Sequence, residues 1–347
     1  MKALVYRGLN QIKLEDKPKP EIRDPTDAII KIKYTTICGS DLHILQGHVP
    51  TCKEGITIGH EGVGTVDAVG DGVKAFKPGD TVLISCMSSC SSCKLCRRGM
   101  LSHCEKGGWV LGHTIDGTQA EYVRTPLADS SLHHVPEGID EKALVMLSDI
   151  VPTGYEVGVL AGKVRPGSTV AIVGAGPVGL SALLTAKLLS PSLLIMIDKD
   201  PSRLDAAKAM GADRVIDSSK EDAEKIVMEL TNGVGCDTVM EAVGIPATFE
   251  LCQNLVGFGS TLANIGVHGK EATLHIEKLW GYNMAITMGF VNTTSTDTLM
   301  RMFQAGTLKL DSLITHEFNL QKDGEKAYST FGAAAEHKAL KMIMTTS

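Results

Sequence analysis

An unbroken apolar run, Thr169-Val170-Ala171-Ile172-Val173, leads straight into Gly174-Ala175-Gly176-Pro177-Val178-Gly179 and then into an apolar helical stretch. Few sequence features restrict a fold more. A strand without polar alternation must be buried on both faces, which calls for a parallel sheet covered by helices. The G-x-G-x-x-G spacing lets backbone approach a pyrophosphate at the N-terminus of the helix that follows. Pro177 suits the first helical turn, where its missing N–H costs nothing. A second apolar strand, Leu193-Leu194-Ile195-Met196-Ile197, closes on Asp198. A carboxylate there accepts hydrogen bonds from an adenosine ribose diol and repels a 2′-phosphate, which favours NAD over NADP. Lys199 and Arg203 lie beside it as further candidate cofactor contacts. More strand–helix pairs follow, with strands expected at Thr238–Ala242, Leu262–Val267 and Ala285–Val291.

The first third has a different rhythm. Ile30-Lys31-Ile32-Lys33-Tyr34 alternates at period two, and Gly64–Val69 and Asp80–Ile84 are short runs bounded by glycine and proline. Pro166-Gly167 precedes the first buried strand, so a boundary is expected between residues 150 and 166. A length of 347 residues suits two domains. The net charge of −6 argues against a nucleic-acid partner. Val170–Ile197 is apolar, but its glycines, prolines and Lys187 make it strand–helix–strand rather than a membrane span. Arg7 cuts short any export-type apolar segment, so a cytoplasmic location is expected.

Nine cysteines without such a signal point to metal binding rather than disulfides. Cys90, Cys93, Cys96 and Cys104 have the spacing of a four-thiolate shell. Four thiolates close a tetrahedral zinc site and leave no open position, so the role is structural. An iron–sulfur cluster also takes four cysteines and is the competing occupant. Lys94, Arg97 and Arg98 offset the surplus negative charge.

A second constellation combines Cys38-Gly39-Ser40-Asp41-Leu42-His43 with Gly59-His60-Glu61. One thiolate, one imidazole and one carboxylate would leave a fourth zinc position open for substrate. Asp149 is the candidate carboxylate and Glu61 its competitor. Ser40 and His43 can pass a proton outward. Cys52, Cys236 and Cys252 read as packing thiols, His133-His134 as a surface pair, and the methionines as core. Cys86 and Trp109 are candidates to line a substrate pocket, and Lys338 or Lys341 to touch a cofactor phosphate. Glu221–Glu229 reads as a solvated helix face.

Taken together, these motifs resemble the medium-chain, zinc-dependent alcohol dehydrogenases. Gly59-His60-Glu61-x2-Gly64-x5-Gly70-x2-Val73 is similar to that family's zinc signature, and the 38/40/43 and 90/93/96/104 spacings match its pattern. The resemblance implies an α/β fold, with a GroES-like β-rich catalytic domain at 1–150 and 290–347 and a structural zinc lobe at 86–105. A Rossmann doubly wound parallel sheet at 151–289 would bind NAD. It implies two zinc ions per chain, the catalytic one held by Cys38, His60 and Asp149. Glu61 then approaches that zinc transiently, Asp41 fixes the histidine tautomer, and Ser40 and His43 form the proton relay. Thr153, Val178, Val243, Ile265 and Val267 would contact the cofactor with the glycine loop. Aspartate at position 149 is similar to the bacterial secondary-alcohol and formaldehyde-dehydrogenase-like branches, and the chain length to the tetrameric branch. Gly39 stands where many members have arginine, which shifts pyrophosphate binding toward the helix N-terminus. The implied activity is reversible hydride transfer between a primary or secondary alcohol and NAD, giving an aldehyde or ketone. A formaldehyde dehydrogenase or dismutase, a polyol dehydrogenase acting on 2,3-butanediol or sorbitol, and a non-catalytic zinc-stabilised NAD-binding protein are the alternatives.

Overall fold

The chain divides into two units, which a computed structural model describes from Met1 to Thr346. The first contains Met1–Asp149, Asn292–Gln304 and the chain from Ile314 onward. The second contains Ile150–Val291 and Ala305–Leu313. The return to the first unit expected from about residue 290 is therefore interrupted, because 305–313 packs with the second.

The first unit is built around the strand Ala28–Thr36. Its nine residues are long enough to serve two partners along one edge. Ala28–Lys31 pairs with Tyr122–Thr125, and Tyr34–Thr36 pairs with the strand Lys341–Thr345. The other edge carries Gly62–Val69, then Thr81–Ile84 and Leu132–His134. Beyond Lys341–Thr345 lies Ile314–Asn319. Ile30, Ile32, Val66, Val82 and Ile84 fill one core. Leu4, Ile37, Ile44, Ile58, Tyr328 and Met342 fill another. Stretches that the alternation reading left out, the hairpin Lys2–Tyr6 with Ile12–Asp16 among them, also pair.

The second unit has a six-stranded parallel sheet. Its order is Arg214–Asp217, Leu193–Asp198, Thr169–Val173, Cys236–Glu241, Val256–Asn264 and Ala285–Met288. This is the dinucleotide-binding order, in which the sequence of strands reverses between the first and fourth. Thr169–Val173 and Cys236–Glu241 flank that switch point, where loops following neighbouring strands part and leave a crevice. Val170, Ala171 and Ile172 are fully buried, as an unalternated strand requires. Two strands end earlier than their apolar runs suggest. Val256–Asn264 ends before Ile265–Val267, and Ala285–Met288 ends before Val291. Both apolar tails leave the sheet as loops. One helical stretch, Glu141–Leu160, is long and apolar enough to cross a membrane by composition, but 72% of its most apolar window is buried inside the protein, as in a core helix.

Candidate active site

Three chain segments of the first unit deliver a cluster of metal-binding side chains. Ala28–Thr36 runs into Cys38, which caps the helix Gly39–Leu45. Gly59 turns the chain with φ +93°, and a Cβ there would meet Gln119 Cγ at 2.5 Å, so only glycine can present His60 and Glu61 in this way. Asp149 is held by its neighbour: Ser148 Oγ accepts the N–H of Gly62 at 3.1 Å, and its carbonyl accepts the N–H of Cys86 at 3.0 Å.

The donor atoms of Cys38, His60, Glu61 and Asp149 all lie within 4.8 Å of one another. Asp149 Oδ2 is 3.1 Å from His60 Nε2 and accepts from Cys38 Sγ at 3.5 Å. On the far side of the imidazole, Nδ1 faces Asp41 Oδ1 at 3.7 Å. Asp41 is fixed by the N–H of Cys38 at 2.9 Å and by Gln119 Nε2 at 3.0 Å, and Gln119 Oε1 accepts from Tyr328 Oη at 2.7 Å. Aspartate behind the ring favours the tautomer with its proton on Nδ1 and a lone pair on Nε2, the form that binds metal.

Without a metal, these groups favour their protonated forms. Burial first, then the Glu61 and Asp149 charges, push the Cys38 thiol up. Burial also raises Asp41 and Glu61, with Lys341 opposing the rise at Glu61. For His60, burial works against charge, but hydrogen bonds to Asp149 and Cys38 and the charge of Asp41 outweigh it and raise the imidazole well above 6.5. Cys86 is buried beside the same carboxylates and its thiol is also pushed up. A divalent ion among these donors reverses this balance and stabilises thiolate and carboxylate together. A soft thiolate, an imidazole and hard carboxylate oxygens form a donor set that suits zinc.

Ser40 and His43 share the helix Gly39–Leu45 but have different neighbours. Ser40 Oγ lies 3.4 Å from His60 Nε2, inside the cluster. His43 is half-buried and meets His48, with their Nδ1 atoms 3.3 Å apart. Trp109 stands edge-on to His60, with ring centroids 6.0 Å apart, and lies against His113 at 4.5 Å with the rings tilted by 30°.

The other thiol cluster lies in the same unit. Cys90, Cys93, Cys96 and Cys104 gather within 4.8 Å. Backbone N–H groups of Cys93, Cys96 and Lys106 point at their sulfurs at 3.3, 3.4 and 3.4 Å, and that of Cys90 points at Cys104 Sγ at 3.2 Å. The Ser92 hydroxyl leads the interactions that lower Cys90 to about 6, whereas burial pushes Cys96 up to about 12. Such amide-to-sulfur bonds stabilise thiolates in a closed shell.

In the second unit, Gly174 adopts φ +105°, and a Cβ on Gly179 would overlap the carbonyl oxygen of Gly174. The helix Pro177–Lys187 follows, with Gly176, Pro177 and Val178 half-buried at its start. Asp198 is committed to this loop: Oδ2 accepts from Ala175 N at 2.6 Å, and Oδ1 accepts from Lys199 N and Asp200 N at 2.7 and 2.9 Å. Lys199 is exposed. Arg203 lies beside Gly176, its Nε 3.8 Å from Asp200 Oδ2. Val243 would touch any Cβ at Gly174, and Val267 packs on Gly244. Both are open to solvent, at 42% and 59% exposure, while Ile265 is buried. Thr153 ends the short helix Ile150–Thr153.

Some expectations fail. Lys341 touches no phosphate site, because it is wholly buried with Nζ 2.6 Å from Glu61 Oε2. His133 is mostly covered and pairs with Asp297 at 2.6 Å. Reasoning from sequence missed Lys341, Gln119 and Tyr328 as supports of the site. None carries a local motif; only a lysine in the apolar run Ala339–Met344 hinted at a buried charge.

Comparison with known proteins identifies the family. Residues 24–137 match the alcohol dehydrogenase GroES-like domain, and residues 177–305 match the zinc-binding dehydrogenase family. The chain is 39% identical to zinc-type alcohol dehydrogenase B of Aspergillus flavus over 83% of its own length and 69% of that protein. It is 35% identical to an alcohol dehydrogenase of Cupriavidus necator, with 95% of each chain covered. The solved apo form of zinc dependent alcohol dehydrogenase 2 from Streptococcus pneumonia is 50% identical, with a TM-score of 0.95 over 99% of this chain and 98% of that one. The chain belongs to the medium-chain zinc-dependent alcohol dehydrogenases and is an oxidoreductase of that family.

Proposed function

We propose that the protein moves hydride reversibly between a primary or secondary alcohol and NAD, with zinc at Cys38, His60 and Asp149 and a second, structural zinc at Cys90, Cys93, Cys96 and Cys104. The observation that carries this reading is the convergence of Cys38, His60, Glu61 and Asp149 within 4.8 Å, with the Ser40 hydroxyl 3.4 Å from His60 Nε2. When bound, zinc supplies a Lewis acid for the substrate oxygen and NAD supplies the hydride acceptor.

The chain's own residues do the rest. Asp41 holds His60 in its metal-binding tautomer. Ser40 Oγ accepts the substrate hydroxyl proton as it gives up its own, and His43 carries the released proton toward solvent. Trp109 covers one edge of His60. Gly174, Gly176 and Gly179 admit the pyrophosphate, and Asp198 receives the adenosine ribose. Net loss of one hydride and one proton turns the alcohol into an aldehyde or ketone.

We further propose a homotetramer in the cytoplasm. The edge strand Ala285–Met288 and its flanks expose Trp280, Met288 and Phe290 at 82, 70 and 51%, an apolar surface that suits a second copy. None of the nine cysteines is paired in a disulfide, which fits a reducing compartment.

Initial rates with NAD⁺ and NADP⁺ on ethanol, 2-propanol, 2,3-butanediol, formaldehyde and sorbitol, with a chelator control, test the activity. NAD-linked turnover that is lost on chelation is expected. No turnover with NAD and metal bound would overturn the reading.

A further inference from the structure

Lys341 is completely buried, at 0% exposure, although it carries an ammonium. It begins the strand Lys341–Thr345, which is locked onto Ala28–Thr36. Its Nζ donates to Glu61 Oε2 at 2.6 Å and to the carbonyl of Ile37 at 3.0 Å. Ile37 precedes Cys38, and Glu61 follows His60. One side chain therefore ties together the two loops that carry the thiolate and the imidazole. An ammonium in such a place is costly unless its partner is a carboxylate in good geometry, and here it is.

We propose that Lys341 decides which carboxylate enters the catalytic metal shell, by holding Glu61 out of it and leaving that place to Asp149. The proposal rests on the reading of Cys38, His60 and Asp149 as ligands. Both carboxylates reach the same centre, since all four donor atoms lie within 4.8 Å. They differ in what else binds them. Asp149 Oδ2 lies against His60 Nε2 and Cys38 Sγ. Glu61 Oε2 is taken by the ammonium, while Glu61 Oε1 is buried without a hydrogen-bond partner. Among the described residues, Lys341 is the only ammonium paired with Glu61. The charges then close in two sets. The Cys38 thiolate and the Asp149 carboxylate neutralise a divalent ion, and Lys341 neutralises Glu61. Without the ammonium, Glu61 is a buried carboxylate whose nearest positive charge is the metal. It then completes a four-ligand shell and fills the position a substrate oxygen needs. Lys341 is a positioning residue that keeps the shell open.

The test uses the full chain with Co²⁺ in place of Zn²⁺. It follows the cobalt absorption spectrum and the rate at which the chelator dipicolinate removes the catalytic ion. In Lys341→Met the spectrum should change and release should slow by roughly 10-fold, a typical size for effects of residues just behind a metal shell. Lys341→Arg should restore both readouts, and the double variant Lys341→Met/Glu61→Gln should return to wild-type release. Glu61→Gln alone should leave the cobalt spectrum unchanged, which keeps the idea testable if Lys341→Met does not fold. A Lys341→Met spectrum and release rate matching wild type would overturn the proposal alone, as would a changed spectrum in Glu61→Gln. A wild-type chain that binds cobalt only at the four cysteines would overturn the active-site reading and the proposal with it.

Discussion

Asp198 Oδ2 accepts the backbone N–H of Ala175 at 2.6 Å, so the residue that ends one strand holds the glycine loop of the strand beside it. The carboxylate expected to receive the cofactor ribose is therefore also part of the loop's support. Replacing Asp198 with alanine removes a charged acceptor worth about 2 kcal/mol, which predicts a roughly 30-fold rise in KM for NAD. KM for NADP should rise less, because the repelling charge is also gone. Steady-state kinetics with both cofactors measure the ratio, and an unchanged ratio would show that Asp198 does not meet the ribose.

Asp149→Ala should lose one metal and keep the other. The two donor clusters share no residue, so elemental analysis should fall from two ions per chain to one. Retention of both would remove Asp149 from the ligand set.

Removing the metal from the four-cysteine lobe should melt it locally. Lys94, Arg97 and Arg98 are exposed there but lie in short turns closed by amide-to-sulfur bonds. Metal loss releases those turns, since the folding energy of such a site is largely its binding energy. Trypsin should then cut at these three residues in chelator-treated protein and spare them in the metal-loaded form. Equal cleavage of both forms would contradict a structural metal.

His43 gives a pH dependence of defined sign. Burial, then the charge of His48, lowers its imidazole below 6.5. The unfolded chain therefore takes up this proton first as pH falls, so stability is lost from about pH 6.5 down to the folded value and is unaffected above it. His43→Gln removes that loss, so its melting temperature should gain on wild type between about pH 7.5 and pH 5.5. Its turnover should fall mainly at low pH, where proton release is hardest. Parallel melting curves and identical pH profiles would show that His43 is neither buried as described nor part of the relay.

What could be read in the sequence was whatever is local. Thr169–Val173, its glycine loop and Pro177 form one continuous stretch, and each residue has a backbone reason to be there. The four thiols sit within fifteen residues, close enough for spacing alone to gather them. Cys38, His60 and Asp149 are far apart, and only the pattern of residue types linked them. Lys341 was misread because its partner Glu61 is 280 residues away and no periodicity connects them. Gln119 and Tyr328 were missed for the same reason, as their hydrogen bond spans 209 residues. Ile265–Val267 read as strand because their apolar side chains look identical whether they face a sheet or line a loop beside it.

The strand Lys341–Thr345 has a consequence for biosynthesis. Ribosomes add about 5–20 residues per second, so Lys341 emerges roughly 15 to 55 seconds after Glu61. Throughout that interval the nascent first unit has an acidic centre with no ammonium beside it and a central strand with one partner missing. Protonation or metal capture must then neutralise that centre, and any ion bound early meets Glu61 as a competitor to Asp149. If Lys341 acts as proposed, arrival of the late strand withdraws Glu61, and the order of synthesis makes the open form of the site the last step of maturation.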